Sequence, residues 1–163
     1  MINLQFCGFD SILARGISRF TDPSGTGIGH VDAVMPDGSL LGAQHEDGLG
    51  GMPSGVQIRP ADYGDSCGMT NRRRVALPAG DDMTAAFYAF LRGQIGKPYN
   101  TAAIVAFITG TNAQTEGGWF CSQLQRVALE TCQFFVPLWM PANKDTPADL
   151  LQVCSAFAPV LID

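Results

Sequence analysis

Charged residues are scarce in this chain of 163 residues, which has 10 Lys and Arg against 15 Asp and Glu and a net charge of −5. Because 46% of the residues are hydrophobic, disorder driven by charge and low hydropathy is excluded. The acidic balance also excludes nucleic acid as a probable partner, since counterion release needs clustered cations and the one basic run is Arg72 to Arg74. The length predicts a single domain, residues 1–163, with a substantial core.

Long apolar runs are also absent. The longest, Ala102 to Ile108, has seven residues, whereas a helix that crosses a bilayer needs about 20. The N-terminus has no basic leader, and its apolar character is broken at Asn3 and Gln5, which is not typical of a secretory peptide. The sequence therefore predicts no transmembrane segment and a cytoplasmic location.

Potential metal ligands are few. The chain has an odd number of cysteines and no Cys-x-x-Cys pair, and it has just two histidines. The cysteines are Cys7, Cys67, Cys121, Cys132 and Cys154, and the histidines are His30 and His45. Structural zinc sites need closely spaced ligands, so we expect no metal and no cofactor, and we expect most of the thiols to be free and buried.

Short apolar runs separated by turn signals predict strands in the first half of the chain. These runs are His30 to Met35, Leu40 to Gln44, Val56 to Ile58 and Arg74 to Leu77. The segment Pro36-Asp37-Gly38-Ser39 predicts a hairpin turn, because Asp-Gly tolerates the positive φ that tight turns require.

The period of the apolar pattern changes to that of helices after Asp81. Helices are predicted from Asp81 to about Gly96, from Thr101 to Thr109, and from Cys121 through Cys132. A short fourth helix should follow Thr146 as N-cap, with Pro147 at its first position. The predicted fold class is α+β, with an antiparallel sheet packed against helices.

A thiol and an imidazole stand out chemically. Cys121 is predicted at a helix N-terminus, where backbone N–H groups and the helix dipole favour the nucleophilic thiolate. As a residue at the edge of a cleft it is expected to bury little of its surface. His30 begins a predicted strand after a glycine-rich segment, and its imidazole could take the thiol proton and return it to a leaving group.

Several short motifs occur in a characteristic order along the chain. They are Gly29-His30-Val31, Leu40-Leu41-Gly42-Ala43, Gly55-Val56, Gly96-Lys97-Pro98-Tyr99-Asn100 and Trp119-Phe120-Cys121-Ser122-Gln123-Leu124. Together they resemble the circularly permuted branch of the NlpC-type, papain-like cysteine hydrolases, which also contains the lecithin retinol acyltransferase-like proteins. In that branch the histidine strand precedes the cysteine helix, as it does here. The resemblance implies a permuted papain-like fold, Cys121 as nucleophile, His30 as general base and Tyr99 in the substrate-binding cleft.

The resemblance leaves open which residue orients the imidazole. In relatives a polar side chain does this, and the ungapped alignment puts that position on Gly42, which has no side chain. Gln44 is our first choice, since it would lie on the same face of the strand if the hairpin loop has three residues. A two-residue loop would bring His45 or Ala43 there instead, and Asp32 is a further candidate.

Taken together, these residues predict a cysteine hydrolase, an amidase or peptidase, that works by nucleophilic acyl transfer. The resemblance implies a peptide, peptidoglycan-fragment or acyl-linked substrate. A compact chain without a leader would suit a phage or prophage product that acts in the host cytoplasm. The alternative is a catalytically impaired papain-like fold that serves as a protein-binding module, as the loss of a side chain at Gly42 and the apolar segment Phe134 to Met140 would suggest.

Overall fold

An antiparallel sheet of six strands organises the described part of the chain. The computed structural model describes residues 1–9, 25–45, 53–65, 68–102, 117–136 and 141–162. The strands are β1 (Ile2–Phe9), β2 (His30–Val34), β3 (Leu40–Gln44), β4 (Gly55–Arg59), β5 (Met69–Leu77) and β6 (Val160–Ile162). The α-helices within those residues are α1 (Asp81–Arg92), α2 (Cys121–Thr131) and α3 (Pro147–Ser155), and a 3-10 turn covers Ala142–Lys144. The predicted α+β class is confirmed.

The strand order is β4-β3-β2-β1-β5-β6, and every neighbouring pair is antiparallel. The sequence analysis missed the inner strand β1, although Ile2, Leu4 and Phe6 alternate with polar residues as a half-buried strand requires. It also missed β6, which has three residues and lies at the sheet edge. The four predicted strands are confirmed, β2 to β4 with boundaries within one residue, whereas β5 begins at Met69, five residues before its predicted start at Arg74.

The hairpin between β2 and β3 has a three-residue loop, Pro36 to Gly38. The backbone N–H of Met35 donates to the carbonyl oxygen of Ser39 at 2.8 Å and so closes the loop. Gly38 takes a φ of +86°, the left-handed conformation in which glycine is unstrained. The predicted hairpin is confirmed. Its three-residue loop is the length that the choice of Gln44 as the residue orienting the imidazole required.

The loop length sets the register of the two strands. Ala33 pairs with Leu41, and continuing this antiparallel register brings Asp32 opposite Gly42. Residues that pair across an antiparallel ladder project from the same face of the sheet. The side chain of Asp32 and the open space at Gly42 therefore share one face.

The hydrophobic core lies between the sheet and the helices. Helix α2 packs against β2 and β3, and α1 packs against α2. Gln125 of α2 also donates through Nε2 to the carbonyl oxygen of Leu41 at 3.0 Å, which joins the helix to the sheet by a buried hydrogen bond. Core residues from these elements include Leu4, Phe6, Val31, Ala33, Leu41, Phe87, Leu91, Leu124 and Ala128.

A buried ion pair holds the first turns of α2. The Nη1 of Arg126 lies 2.8 Å from Oδ2 of Asp145, and its Nε lies 2.7 Å from Oε1 of Glu130. Ser122 donates through Oγ to the carbonyl oxygen of Asp145 at 2.6 Å. Because buried charges are costly unless they are paired, this clamp fixes the position of the helix start, where Cys121 lies.

The other helix predictions have mixed outcomes. The start of α2 at Cys121 is confirmed, and α1 ends at Arg92, followed by a turn that reaches Gly96. Residues 101 and 102 are helical, but the remainder of the predicted 101–109 helix lies outside the described residues, as do residues 137–140 and Cys67. The described helices are all too short or too polar to span a membrane.

Thr146 is the N-cap of α3 and Pro147 follows it, as the sequence predicts, and the structure adds a capping box with Asp149. Thr146 accepts a hydrogen bond through Oγ1 from the N–H of Asp149 at 3.0 Å, and Asp149 Oδ2 accepts one from the N–H of Thr146 at 3.1 Å. We expect Thr146→Ala to lower the free energy of unfolding by about 1 kcal/mol, because the N–H of Asp149 loses its acceptor and the carboxylate of Asp149 loses the hydroxyl that donates to it. Urea denaturation followed by circular dichroism measures the change. Ser155→Ala, at the exposed end of the same helix, is the control, and equal losses in both variants would contradict a capping role.

Candidate active site

Cys121 is the first residue of α2, and its side chain is only 4% exposed. Phe120 precedes it in an extended conformation, and the helix start has no side-chain cap. The expectation that Cys121 buries little of its surface is wrong, because the start of α2 packs into the core with the remainder of the helix. Cys7, Cys132 and Cys154 are also buried, and none of the four described cysteines is in a disulfide.

His30 begins β2 and brings its imidazole to the thiol. The side chains of His30 and Cys121 share a hydrogen bond, although they come from distant parts of the sequence. His30 is 3% exposed, so the contact lies away from bulk water. The structure therefore brings together the two residues that the sequence predicts as nucleophile and base.

The imidazole of His30 also faces a buried carboxylate. Nε2 lies 2.9 Å from Oδ2 of Asp32, which is 2% exposed. Residues two apart on a strand point to the same face, so β2 itself supplies both groups. A Cβ on Gly42 would collide with Oδ1 of Asp32 and lie 3.0 Å from its Cγ. The absence of a side chain at Gly42 leaves the space that the carboxylate occupies.

Gln44 does not take the position that we preferred for it. Its side chain is buried, and the hairpin register puts it across from the histidine, but the group at Nε2 is the carboxylate of Asp32. The reason is geometric: Asp32 lies on the same strand as the imidazole and fills the space beside Gly42. Of the other candidates, Ala43 belongs to the core, and His45 is exposed with its ring 5.5 Å from that of Tyr99.

Tyr63 is a member of this site that the sequence analysis missed. Its hydroxyl donates to Oδ2 of Asp32 at 2.6 Å and lies 3.2 Å from Nε2 of His30. The residue follows β4 in a turn in which its N–H donates to the carbonyl oxygen of Pro60 at 3.1 Å. A tyrosine in a turn carries no local signal of such a contact, so nothing in the sequence pattern indicated it.

Arg59 was missed as well. Its guanidinium is buried and lies 5.6 Å from the ring centroid of Tyr63. It donates to the carbonyl oxygens of Gly42 at 3.2 Å and of Pro53 at 3.0 Å. A buried cation is thereby placed behind the site without forming a direct ion pair with its carboxylate.

The charges of this cluster favour a protonated imidazole beside an ionised carboxylate. Burial opposes the charged form of His30, but the charge and hydrogen bond of Asp32, with a smaller contribution from Cys121, raise its pKa to about 10. Burial likewise opposes ionisation of Asp32, but His30, Tyr63 and Arg59 together lower its pKa below the ordinary value. At neutral pH the two side chains therefore form a buried ion pair.

This pair makes stability depend on pH at both ends of the scale. The contribution of His30 to the free energy of unfolding is complete below its ordinary pKa of 6.5 and is lost as the pH rises through about 10. The contribution of Asp32 is complete above its ordinary pKa of 3.8 and is lost as the pH falls through its lowered pKa. The ion pair is therefore strongest in weakly acidic to neutral solution.

Tyr99 lies on the other side of the thiol. Its backbone forms a parallel bridge with Trp119, and its side chain hydrogen-bonds to Cys121. Burial, together with the neighbouring Cys121, raises the pKa of Tyr99 well above its ordinary value. The phenol therefore stays protonated and remains available as a hydrogen-bond donor next to the sulfur.

Comparisons with known proteins assign no chemistry to this site, so its chemistry is inferred from its geometry. No family model matches the chain, and a search of curated proteins finds no match either. Among the residues that the structure describes, no three His, Cys, Asp or Glu side chains group in a way that could hold a metal ion. The groups available for chemistry are the thiol, the imidazole, the carboxylate and two phenols.

The charge balance of the site can be tested through His30 itself. We expect its pKa to fall clearly in Asp32→Asn, because burial then opposes the protonated ring without the opposing carboxylate charge. Proton NMR of the imidazole C2–H across the pH range measures the change. His45, the second histidine, is exposed and serves as the internal reference. Identical His30 titrations in both proteins would contradict the ion pair.

The space at Gly42 gives a second test. Gly42→Ala should displace the Asp32 carboxylate and slow the alkylation of Cys121 by iodoacetamide about 10-fold or more, the size of effect typical for loss of an orienting partner. Gly29→Ala is the matched control, because a Cβ there has no heavy atom within 4 Å apart from its chain neighbours. Mass spectrometry of tryptic peptides gives the rates, and an unaltered rate in Gly42→Ala would show that the carboxylate does not need this space.

Proposed function

We propose that the chain is a cysteine hydrolase, an amidase or peptidase of the circularly permuted NlpC-type, papain-like class, that works by acyl transfer. One observation carries the proposal. A thiol at a helix start shares a hydrogen bond with an imidazole whose Nε2 faces a buried carboxylate. This is the arrangement by which proteins activate a cysteine nucleophile and orient its base.

In the first half of the reaction the proton of the Cys121 thiol resides on His30, and the thiolate attacks the carbonyl carbon of the substrate. A carbon–sulfur bond forms while the carbonyl π electrons move to oxygen. The N–H groups at the start of α2 and the phenol of Tyr99 are the donors available to that oxyanion. The intermediate then expels the amine or alcohol, which takes the proton from His30, and an acyl-thioester on Cys121 remains.

In the second half, water replaces the leaving group. His30 removes a proton from the water, whose oxygen attacks the thioester carbonyl. Collapse of this intermediate breaks the carbon–sulfur bond and releases a carboxylic acid, and the thiolate and imidazolium are restored. Asp32 keeps a proton on Nε2 throughout, so Nδ1 is the nitrogen that exchanges protons with sulfur, leaving group and water.

For the substrate we propose a peptide, an isopeptide of a peptidoglycan fragment, or an acyl-linked molecule, in line with the resemblance of the motifs. A cytoplasmic setting, including the host cytoplasm for a phage or prophage product, is part of the same proposal. The alternative of a protein-binding module depended on the missing side chain at Gly42 and on the apolar segment Phe134 to Met140, of which residues 137–140 lie outside the described residues. Asp32 supplies a carboxylate in the space beside that glycine, which favours the hydrolase.

Detection of the acyl-enzyme tests the proposed function. On brief incubation with p-nitrophenyl acetate, intact-mass spectrometry should find one acetyl group, located on Cys121. Cys121→Ala and His30→Ala should lose it, and release of p-nitrophenol should fall by about 10³-fold or more, as expected for loss of a nucleophile or its base.

Cys132→Ala is the matched control, since it removes another buried thiol of the same region. Muropeptides and N-acyl amino acids, assayed by liquid chromatography, then identify the class of bond. Equal acetylation of all cysteines, or full turnover by Cys121→Ala, would contradict the proposed function.

A further inference from the structure

The hydroxyl of Tyr63 lies at the junction of the two charged groups that orient the site. It is 2.6 Å from Oδ2 of Asp32 and 3.2 Å from Nε2 of His30. A phenol has one proton to donate, and the shorter distance assigns that proton to the carboxylate. The oxygen lone pairs then face the N–H of the imidazole, so this N–H is shared between the carboxylate and the phenol.

We infer that Tyr63 is a positioning residue of the hydrolase, which fixes the plane of the His30 ring by holding Asp32 and sharing its Nε2–H. The inference rests on the proposed function and assigns to it a residue that the family motifs do not include. Tyr63 acts through Asp32 and His30, because its hydroxyl contacts these two side chains.

The carboxylate needs a second partner of this kind. Oδ1 of Asp32 is buried and has no hydrogen-bond partner among the described residues. Its Oδ2 receives the bonds of both His30 and Tyr63, so the orientation of the carboxylate depends on these two donors. Without the phenol, the imidazole would be the one hydrogen-bond donor left to the carboxylate among the described residues, and Nε2 of the imidazole would lose one of its two contacts.

Tyr63 is itself held firmly enough to act as a reference point. The residue is 3% exposed, and its ring lies beneath the guanidinium of Arg59 at the end of β4. Arg59 is tied to the carbonyl oxygens of Gly42 and Pro53. The phenol is thus supported by β3 and β4, while the histidine and aspartate belong to β2, so the orientation of the ring is set across three strands.

The test compares Tyr63→Phe with Tyr88→Phe. Both changes remove one hydroxyl from a buried tyrosine that contacts β2, but that of Tyr88 donates to the carbonyl oxygen of Val34, at the opposite end of the strand from His30. The rate of Cys121 alkylation by iodoacetamide is measured from pH 4 to 10 by about half-unit steps, in the full chain, together with the ¹⁵N shifts and solvent exchange of the His30 ring.

We expect Tyr63→Phe to slow alkylation by about 10-fold or more, the effect typical of losing an orienting partner. The acid limb of its profile should move to higher pH, because Asp32 takes up a proton more readily without the phenol. The His30 Nε2–H should exchange faster with solvent. Tyr88→Phe should keep the wild-type rate, profile and exchange.

A wild-type profile and wild-type exchange in Tyr63→Phe would overturn the inference, and so would equal changes in both variants, since these would mark a general loss of packing. Failure of the proposed function looks different: wild-type Cys121 would then show no preferential alkylation over Cys7, Cys132 and Cys154. In that case the exchange of the His30 N–H still decides whether Tyr63 positions the ring.

Discussion

A buried ion pair between His30 and Asp32 is the interaction on which the site depends. Removing two charges from water costs several kcal/mol for each ion, and their attraction offsets this only when the geometry is good and the remaining polar atoms find partners. Here Nε2 and Oδ2 are 2.9 Å apart, and a phenol bonds to the same oxygen. The pair keeps the imidazole protonated and holds its Nε2 beside the carboxylate, while the same ring hydrogen-bonds to Cys121.

The space needed beside this ion pair explains the glycine at position 42, whose missing side chain first suggested a loss of catalytic function. Gly42 occupies the position of the orienting side chain in the family that the motifs resemble, and a Cβ there would collide with Asp32. A polar side chain on β3 and a carboxylate on β2 would compete for one volume, so only one of them can be present. In this chain the carboxylate comes from the strand of the histidine itself, and a glycine is what the neighbouring strand can accommodate.

The thiol is positioned by a different set of forces. Helix α2 is held at its start by the buried pair of Arg126 and Asp145 and by the bond from Ser122, while its apolar face packs against the sheet. Cys121 and His30 therefore lie at the starts of two elements that are each held in place, helix α2 by these contacts and β2 by pairing with β1 and β3. Sites supported in this way by regular elements hold their groups more closely than sites on loops.

Much of this architecture is readable from local patterns. Periodicity and turn chemistry act over a few residues. They predict the helix that begins at Cys121, the N-cap at Thr146 and the hairpin at Asp37-Gly38. Strand β1 has a local pattern of the same kind, since Ile2, Leu4 and Phe6 alternate with more polar residues, although it was not among the predicted strands.

The pairing of Cys121 with His30 was predictable from the order of the motifs, but the third group was not. Gln44 and Asp32 both satisfy the period of a strand, and the choice between them depended on a three-residue loop and on free volume at Gly42, which are properties of packed strands. Tyr63 and Arg59 reach the site from a turn and a strand end far along the chain. Local patterns of the sequence specify the predicted strands and helices and the pairing of thiol with imidazole. Long-range packing selects which other side chains share the buried space around His30, because such contacts leave no periodic trace.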